Sequence, residues 1–212
     1  MVPQVINIII GPTRAKLITQ CFNSWTPLKK FGFTIKIWND DSIVDFFKKN
    51  HPSALQMIAN SRNHAEIADL ARYAIIYYHG GYYVDWDIEL LYPKQFLDLC
   101  KRSPKGFLIQ DPLNQTLASE CFSAVRGEQY LLNLVENIIE IYNGGFRDEL
   151  STPYFSGPFR MREVYYYSKL KSAQKVYPVK EVFRYDYEEI RQMPDIRSNA
   201  PLIHYWIHSW FF

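Results

Sequence analysis

Short apolar runs alternate with helix-like segments along the first part of the chain. Val5–Ile10 is a β-branched run ended by Gly11, which predicts a buried strand leading into a turn, and Phe33–Trp38 alternates as a second strand. Thr13 is placed to cap a helix between these strands, and Asn39 to open another after them. The resulting βαβα order predicts a parallel sheet covered on both faces, with ligands at the carboxyl ends of its strands.

The following segments continue the alternation. Asn63 and Glu66 resemble a capping box at the start of a helix over 64–79. Tyr82–Leu91 is aromatic and β-branched enough to be one strand, which Pro93 closes. Beyond it, the same patterns predict strands over 106–110 and 121–125, an amphipathic helix ending at Gly144, a helix over 157–170, and extended pieces at 175–177 and 201–206.

Bulk composition indicates one folded domain. The chain has 212 residues, of which 48% are hydrophobic and 22% are charged, with no repeat, linker or low-complexity tract. This length and composition suit a single core. A net charge of +2 leaves no basic footprint of the size that nucleic-acid binding requires, so we expect no nucleic-acid partner.

The N-terminus, the cysteines and the aromatic residues bear on location. The first residues lack the features of a signal peptide, and their apolar run is too short to span a bilayer. Cys21, Cys100 and Cys121 match neither a disulfide framework nor a zinc pattern, so we expect unpaired thiols in a cytoplasmic protein.

The 16 Tyr, 14 Phe and 5 Trp suit sugar or base stacking as well as an ordinary core. With the slight basic excess, they are compatible with a peripheral contact at the inner face of the membrane.

Three acids alternate inside the predicted strand that ends before Pro93. In an extended segment Asp85, Asp87 and Glu89 point to one side, where their charges repel. A hard divalent cation such as Mg²⁺ or Mn²⁺ relieves that repulsion and keeps positions open for substrate phosphates. An Asp-x-Asp triplet is also common as solvated acids at a strand end, and the spacing alone leaves both interpretations open.

The surrounding sequence resembles one family. The stretch Ile67-Ala-Asp-Leu-Ala-Arg-Tyr73, followed by Tyr78-His-Gly-Gly-Tyr-Tyr-Val-Asp-Trp-Asp-Ile-Glu-Leu-Leu-Tyr-Pro93, resembles the sugar-binding region of glycosyltransferase family 32. It is also similar to the catalytic domains of clostridial glucosylating toxins. The resemblance implies an α/β fold of GT-A type, a Rossmann-like mixed sheet flanked by helices. The whole of 1–212 would be one domain, with the nucleotide-binding half at about 1–93 and the acceptor side and C-terminal lid at about 94–212.

The resemblance also implies roles for single residues. Asp85 would contact the ribose and the metal, and Asp87 would be the principal ligand of a Mn²⁺ or Mg²⁺ ion that holds the diphosphate. Asp69 would accept sugar hydroxyls, and Arg72 would support the sugar or the phosphates. Without the resemblance, the three-residue spacing of Asp69 and Arg72 on a helix equally describes a surface ion pair.

Three further motifs sit where such sequences carry related ones: Trp38-Asn-Asp, Ser156-Gly157-Pro158 and His204-Tyr-Trp-Ile-His-Ser-Trp210. The C-terminal motif resembles the ending of glycogenin-like transferases. By that resemblance, His204 of this chain would be a third metal ligand. Ser209 and Trp210, with His208, would form a lid over the diphosphate. The alternative for His204 is a satisfied histidine in a hydrophobic C-terminal strand.

The first strand departs from the family pattern. Relatives often carry His and Trp there, whereas this chain has Ile6-Asn-Ile-Ile-Ile10. Trp38 is the substitute candidate for stacking on the base, with a core position as its alternative, and Gly157 is taken as a further substrate contact. Glu89 and Asp111 are polar candidates for the sugar pocket or its surroundings.

The predicted activity is retaining transfer of a sugar from a UDP- or GDP-sugar to a glycan or lipid-linked acceptor, in surface or capsular polysaccharide synthesis. Asp85, Asp87 and Arg72 would carry the reaction. Two other classes stay open. One is a catalytically degenerate module that binds a nucleotide or glycan, and the other is a metal-dependent phosphohydrolase, for which the scattered histidines give little support.

Overall fold

A computed structural model describes residues 1–11, 15–112, 115–167 and 172–207. Within these ranges the strands are β1 (Val5–Ile9), β2 (Thr34–Trp38), β3 (Gly81–Val84), β4 (Ile88–Leu90), β5 (Gly106–Asp111), β6 (Thr116–Leu117), β7 (Cys121–Ala124), β8 (Lys175–Pro178) and β9 (Leu202–His204). The α-helices are α1 (Lys16–Ser24), α2 (Asp40–Asn50), α3 (Leu55–Ala59), α4 (His64–His79), α5 (Pro93–Arg102), α6 (Gln129–Asn143), α7 (Thr152–Phe155), α8 (Pro158–Tyr167) and α9 (Val179–Val182). Most predicted segments are thus confirmed to within a few residues.

The main sheet has the strand order β2-β1-β3-β7-β5-β6, with β8 also paired to β5. Strands β2, β1 and β3 run parallel, as their βαβ order predicts, whereas β7 lies antiparallel to both β3 and β5. The sheet is therefore mixed, and its parallel half is the part that the sequence alternation describes. A second, two-stranded sheet joins β4 to β9.

Alternate side chains of the central strands enter two separate apolar cores. In β3, Tyr83 packs with α2, α4 and α6 on one face, while Tyr82 and Val84 pack with α1 and α5 on the other. The same alternation occurs in β5, where Leu108 faces the first core and Phe107 the second. Helices thus cover both faces of the sheet, as predicted.

Local signals account for the helix starts that matter to the site. The side chain of Asn39 accepts a hydrogen bond from the Ser42 amide at the start of α2, and Asn63 accepts one from the Glu66 amide at the start of α4. The predicted capping box at α4 is only half formed, because the carboxylate of Glu66 accepts the Arg62 amide at 3.0 Å instead. The predicted helix cap Thr13 lies outside the described residues.

The expectation of one continuous strand over Tyr82–Leu91 is wrong. After β3 the Asp85 amide donates to the carbonyl of Glu120 at 2.8 Å, and the Ile88 amide then donates back to the Asp85 carbonyl at 3.1 Å, which closes a turn. The chain leaves the main sheet at this turn, and β4 pairs with β9 instead. Strict alternation is lost, so Glu89 does not share a face with the two aspartates.

Two further observations bear on the sequence expectations. The three cysteines are unpaired, with Cys21 and Cys121 buried and Cys100 half-buried. Among the described residues, no helix combines the length and apolar character needed to cross a membrane.

Candidate active site

A cleft of about 430 Å³ opens beside the carboxyl ends of β1 and β3. Its position agrees with the expected location of a ligand site in an open α/β sheet. The cleft is lined by Ile9, Gly11, His64, Ala65, Ala68, Asp69, Arg72, Tyr83, Asp85, Trp86, Asp87, Asp111, Thr116, Ala118, Ser119, Glu120, Thr152, Pro153, Pro158, Phe159, Tyr187, His204, Trp206 and Ile207.

Asp85, Asp87 and His204 form one cluster in this cleft. Each offers a ligand atom, and these atoms all lie within 4.8 Å of one another. The two aspartates come from the turn after β3, and the β4–β9 pairing sets His204 opposite Ile88, next to Asp87 in sequence. Two carboxylates and an imidazole are suitable ligands for Mn²⁺. They also suit Mg²⁺, although Mg²⁺ prefers to have only oxygen ligands. The donor set therefore fits a divalent cation.

Asp87 is the firmly ionised member of this cluster. It is 2% exposed, and burial by itself would raise its pKa. His204, whose Nε2 lies 3.3 Å from Oδ1, and the Ile207 amide, which donates to Oδ2 at 2.7 Å, together lower the pKa below its ordinary value. For His204 burial opposes protonation, but the carboxylates of Asp87 and Glu120 together outweigh burial and raise the pKa to about 10. A proton on the imidazole thus balances Asp87 when no metal is bound.

Asp85 is held differently. Burial raises its pKa, the nearby Arg72 guanidinium opposes that rise, and the like charge of Asp87 adds to it. The Tyr83 hydroxyl donates to Oδ1 at 2.6 Å, and Arg72 Nη1 lies 3.5 Å from the same oxygen. A divalent cation between the two carboxylates would remove the repulsion that they exert on each other.

Asp69 and Arg72 are not a surface ion pair. They are 5% and 7% exposed, and the distance from Arg72 Nη2 to Asp69 Oδ1 is 3.4 Å. Arg72 also donates to the carbonyls of Ala68 at 3.2 Å and Ser119 at 3.0 Å, which fixes its guanidinium at the wall of the cleft. Burial raises the pKa of Asp69 to about 6 even though Arg72 and the Ser156 hydroxyl, which donates at 2.8 Å, both lower it.

Gly157 contributes by lacking a side chain. A Cβ atom at this position would lie 2.9 Å from the Cα of Pro153 and 3.4 Å from Oδ2 of Asp69. The bend between α7 and α8 can therefore pack against the Asp69 carboxylate only because residue 157 is glycine. Gly157 itself is not among the residues that line the cleft.

Trp38 is in the core and is not placed to stack on a base. It is 3% exposed, its Nε1 donates to Asn7 Oδ1 at 3.1 Å, and its ring packs against His79 with 5.9 Å between centroids. Lys36 Nζ lies 3.7 Å from the ring centroid. This placement corrects the expectation that Trp38 contacts the substrate. The lid candidates His208, Ser209 and Trp210 lie outside the described residues.

Of the two polar candidates left open by the sequence, Asp111 lines the cleft and Glu89 does not. Glu89 instead accepts hydrogen bonds from Gln20 at 3.0 Å and from the Tyr205 hydroxyl at 2.5 Å. These bonds connect α1 to the segment that follows β9. The physical reason is the turn after β3, which directs Glu89 away from the aspartates.

Several cleft residues were missed by sequence reasoning. Ser119 and Glu120 enter the site through the antiparallel pairing of β3 with β7, which no local pattern indicates. Trp86 lies between the two aspartates, and a Cβ atom on Gly11 would fall 2.6 Å from its ring. The sequence predicts a turn at Gly11 after the first strand. It does not indicate that this glycine also leaves room for the ring of Trp86.

Comparison with known families identifies the class of this protein. The glycosyltransferase sugar-binding region containing the DXD motif matches residues 16–122, half of the chain. That segment holds Asp69, Arg72, Asp85 and Asp87. The chain belongs to this glycosyltransferase family.

Individual relatives agree with this assignment. Glycosyltransferase L373 of Acanthamoeba polyphaga mimivirus is 41% identical over 59 residues, which are 27% of this chain and 24% of that protein. Inositol phosphoceramide mannosyltransferase 3 of Schizosaccharomyces pombe is 25% identical over 122 residues, 58% of this chain and 33% of the relative. The matches thus span a quarter to a third of the length of these relatives.

Solved structures establish the fold. The PaToxG glycosyltransferase superposes with a TM-score of 0.56 at 16% identity, covering 78% of this chain and 69% of that one. A glycosyltransferase involved in glycosylation of the major capsid of PBCV-1 superposes with a TM-score of 0.53 at 11% identity, covering 94% and 92% of the two chains. The predicted GT-A type architecture, with a mixed sheet flanked by helices, is confirmed.

Proposed function

We propose that this protein transfers a sugar from a nucleoside-diphosphate sugar to an acceptor hydroxyl and depends on Mn²⁺ or Mg²⁺. The observation that carries the proposal is the presence of two charged groups of residues in one cleft. Asp85, Asp87 and His204 would hold the metal, and the fixed pair of Asp69 and Arg72 lies beside them. The family membership supports a UDP- or GDP-sugar as donor.

The metal-side residues would act through charge. A bound divalent cation supplies Lewis-acid stabilisation of the departing diphosphate. Asp87 is suited to be its principal ligand, because the Ile207 amide fixes one carboxylate oxygen and the residue is ionised. Asp85 shares Arg72 with Asp69, so it connects the metal side of the cleft to the sugar side.

The sugar-side residues would orient the donor. The Asp69 carboxylate can accept sugar hydroxyls, and the Arg72 fork, held by backbone carbonyls, places positive charge where the diphosphate leaves. Such positioning accounts for much of the rate enhancement in a two-substrate transfer. We infer retention of the anomeric configuration from the family resemblance, with attack on the face from which the phosphate departs.

The acceptor is proposed as a glycan or a lipid-linked saccharide of a cell-surface polysaccharide. Support for a lipid-linked acceptor comes from the relative named as an inositol phosphoceramide mannosyltransferase. The acceptor side would lie in residues 94–212, which contribute Asp111, Thr116 and the wall formed by α7 and α8. We place the reaction at the cytoplasmic side of a membrane, with a peripheral contact.

The test is a donor screen. UDP- and GDP-linked hexoses are incubated with the protein and Mn²⁺, with and without EDTA, and both sugar transfer and slow donor hydrolysis are followed by nucleotide release. We expect one nucleotide family to be consumed only when metal is present. Tight nucleotide binding without turnover of any donor would favour a degenerate binding module. Release of inorganic phosphate from nucleotides would favour a phosphohydrolase.

A further inference from the structure

One ring nitrogen of His204 has no hydrogen-bond partner. Nε2 faces Asp87, but Nδ1 is buried and makes no hydrogen bond to any described residue. Leaving a buried polar group unpaired costs about 1–3 kcal/mol, so such an atom calls for an explanation. The carboxylate of Glu120 lies on that side of the ring, with Oε1 at 3.7 Å from Nδ1.

Glu120 is held in this position by the backbone. It immediately precedes β7, and its carbonyl accepts the Asp85 amide at 2.8 Å. Its side chain is 16% exposed and lines the cleft. The same residue therefore contacts the backbone of one proposed metal ligand and faces the side chain of another.

Among the described residues, Glu120 is the carboxylate that lies near Nδ1 of His204. Aromatic rings pack on the imidazole, with centroids at 4.1 Å for Trp206 and 5.8 Å for Phe183. These rings restrict how the imidazole tilts but supply no acceptor in its plane. A small movement of either side chain would bring Nδ1 within hydrogen-bond distance of Glu120, because the present separation of 3.7 Å exceeds that distance by only a few tenths of an ångström.

We propose that Glu120 is a positioning residue, whose carboxylate accepts the Nδ1 proton of His204 and so aims the Nε2 lone pair at the site shared with Asp85 and Asp87. An imidazole binds a metal through one nitrogen while the other carries the proton, and a carboxylate at that second nitrogen fixes both the tautomer and the ring. This inference rests on the proposed function, since it concerns the same metal site.

The test compares Mn²⁺ affinity in two variants by titration calorimetry. Glu120→Ala removes the acceptor, and we expect about 10- to 100-fold weaker binding, as for other partners behind metal-bound histidines. Glu120→Gln loses the charge but keeps an acceptor oxygen, so it should recover part of that affinity. Glu181→Gln removes an exposed carboxylate that pairs with Arg102 outside the cleft, and it should bind Mn²⁺ like the wild type.

A spectroscopic measurement separates positioning from simple charge. ¹⁵N spectra of histidine-labelled protein loaded with Mg²⁺, with the His204 signal assigned through His204→Gln, should show the proton on Nδ1 in the wild type and a mixed or altered state in Glu120→Ala. Equal losses of Mn²⁺ affinity in Glu120→Ala and Glu120→Gln, or an unchanged His204 signal, would overturn the inference alone. Wild-type protein that binds no Mn²⁺ would overturn the proposed function first.

Discussion

The cleft contains two buried acid–base pairs, Asp69 with Arg72 and Asp87 with His204, and they behave in opposite ways. The pKa of Asp69 is raised to about 6, whereas the pKa of Asp87 is lowered. Arg72 is shared among Asp69, Asp85 and two backbone carbonyls, so it compensates only part of the burial of Asp69. Asp87 faces Nε2 of His204 and also accepts a backbone amide, and these two groups outweigh its burial.

The difference indicates separate tasks for the two pairs. A firmly ionised carboxylate beside an imidazole is suited to hold a cation, because its charge is present throughout the working pH range. A carboxylate whose ionisation is opposed, fixed by Ser156 at 2.8 Å, is suited to exchange hydrogen bonds with neutral hydroxyls. The Asp87 pair would therefore be the metal side of the cleft and the Asp69 pair its sugar side.

The largest effect is expected on the metal side. Asp87→Asn keeps an acceptor for the Ile207 amide but removes the charge, and we expect transfer to fall by at least about a thousandfold, since metal charge supplies several kcal/mol of transition-state stabilisation. Steady-state turnover with the preferred donor measures the loss. Glu89→Gln, two residues along but facing Gln20 and Tyr205, is the matched control and should retain most activity. Comparable losses in both variants would indicate that Glu89 acts together with the two aspartates, which would contradict the turn seen after β3.

A smaller effect is expected on the sugar side. Arg72→Lys keeps the charge but cannot reproduce the guanidinium contacts to Ser119 and Asp69, so we expect turnover to fall about 10- to 100-fold through the loss of charge-assisted hydrogen bonds. Mn²⁺ affinity should change much less than turnover. The control is Arg62→Lys, a residue just before the same helix that pairs with Glu66 in the first helical turn, both outside the cleft lining. Unchanged kinetics in Arg72→Lys would remove the residue from the proposed donor site.

The contrast between the two pairs also predicts a pH effect on stability. Because the pKa of Asp69 is higher in the folded protein, about 6 against an ordinary 3.8, the folded state binds this proton more tightly. Protonated Asp69 therefore adds to the free energy of unfolding at pH values below the unfolded pKa. This contribution of ~3 kcal/mol is lost as the pH rises through the folded pKa of about 6. Denaturant unfolding of wild type and Asp69→Asn at pH 4 and pH 7 measures it. A difference between the two proteins that does not change with pH would contradict the assignment.

The smallest effect on activity is expected at Trp38, which belongs to neither pair. Trp38→Phe leaves Asn7 Oδ1 without its indole donor and should lower the free energy of unfolding by about 1–3 kcal/mol. Nucleotide affinity should stay at the wild-type level, because the ring is in the core. A marked loss of nucleotide affinity in folded Trp38→Phe would return Trp38 to the binding site.

Site residues that lie close together in the sequence could be predicted, and those that lie far apart could not. Asp69 and Arg72 share one helix turn, and Asp85 and Asp87 one short segment, so local spacing and the family motif identify them together. The pairing of His204 with Asp87 was implied only by resemblance, because it depends on β9 aligning with β4. Glu120 and Ser119 depend on the β3–β7 register, and no local pattern reports that register.

Contacts between distant segments also decide the two positions that the sequence mispredicts. Alternation along Tyr82–Leu91 is compatible with one strand, and only the tertiary contact between the Asp85 amide and the Glu120 carbonyl shows where the chain turns. Trp38 is the last residue of a strand and precedes polar residues, a pattern that suits both a core ring and a stacking ring. In the structure the ring is in the core, where its Nε1 donates a hydrogen bond to the buried side chain of Asn7.

The central claim is that the cleft binds a nucleoside diphosphate through a metal held by Asp87. Calorimetric titration of UDP and GDP into wild-type protein and Asp87→Asn, with Mn²⁺ and with EDTA, tests it most directly. We predict that one nucleotide binds the wild type in Mn²⁺, and that binding is lost both in EDTA and in the folded variant. Nucleotide binding of equal strength in all these conditions would contradict the claim.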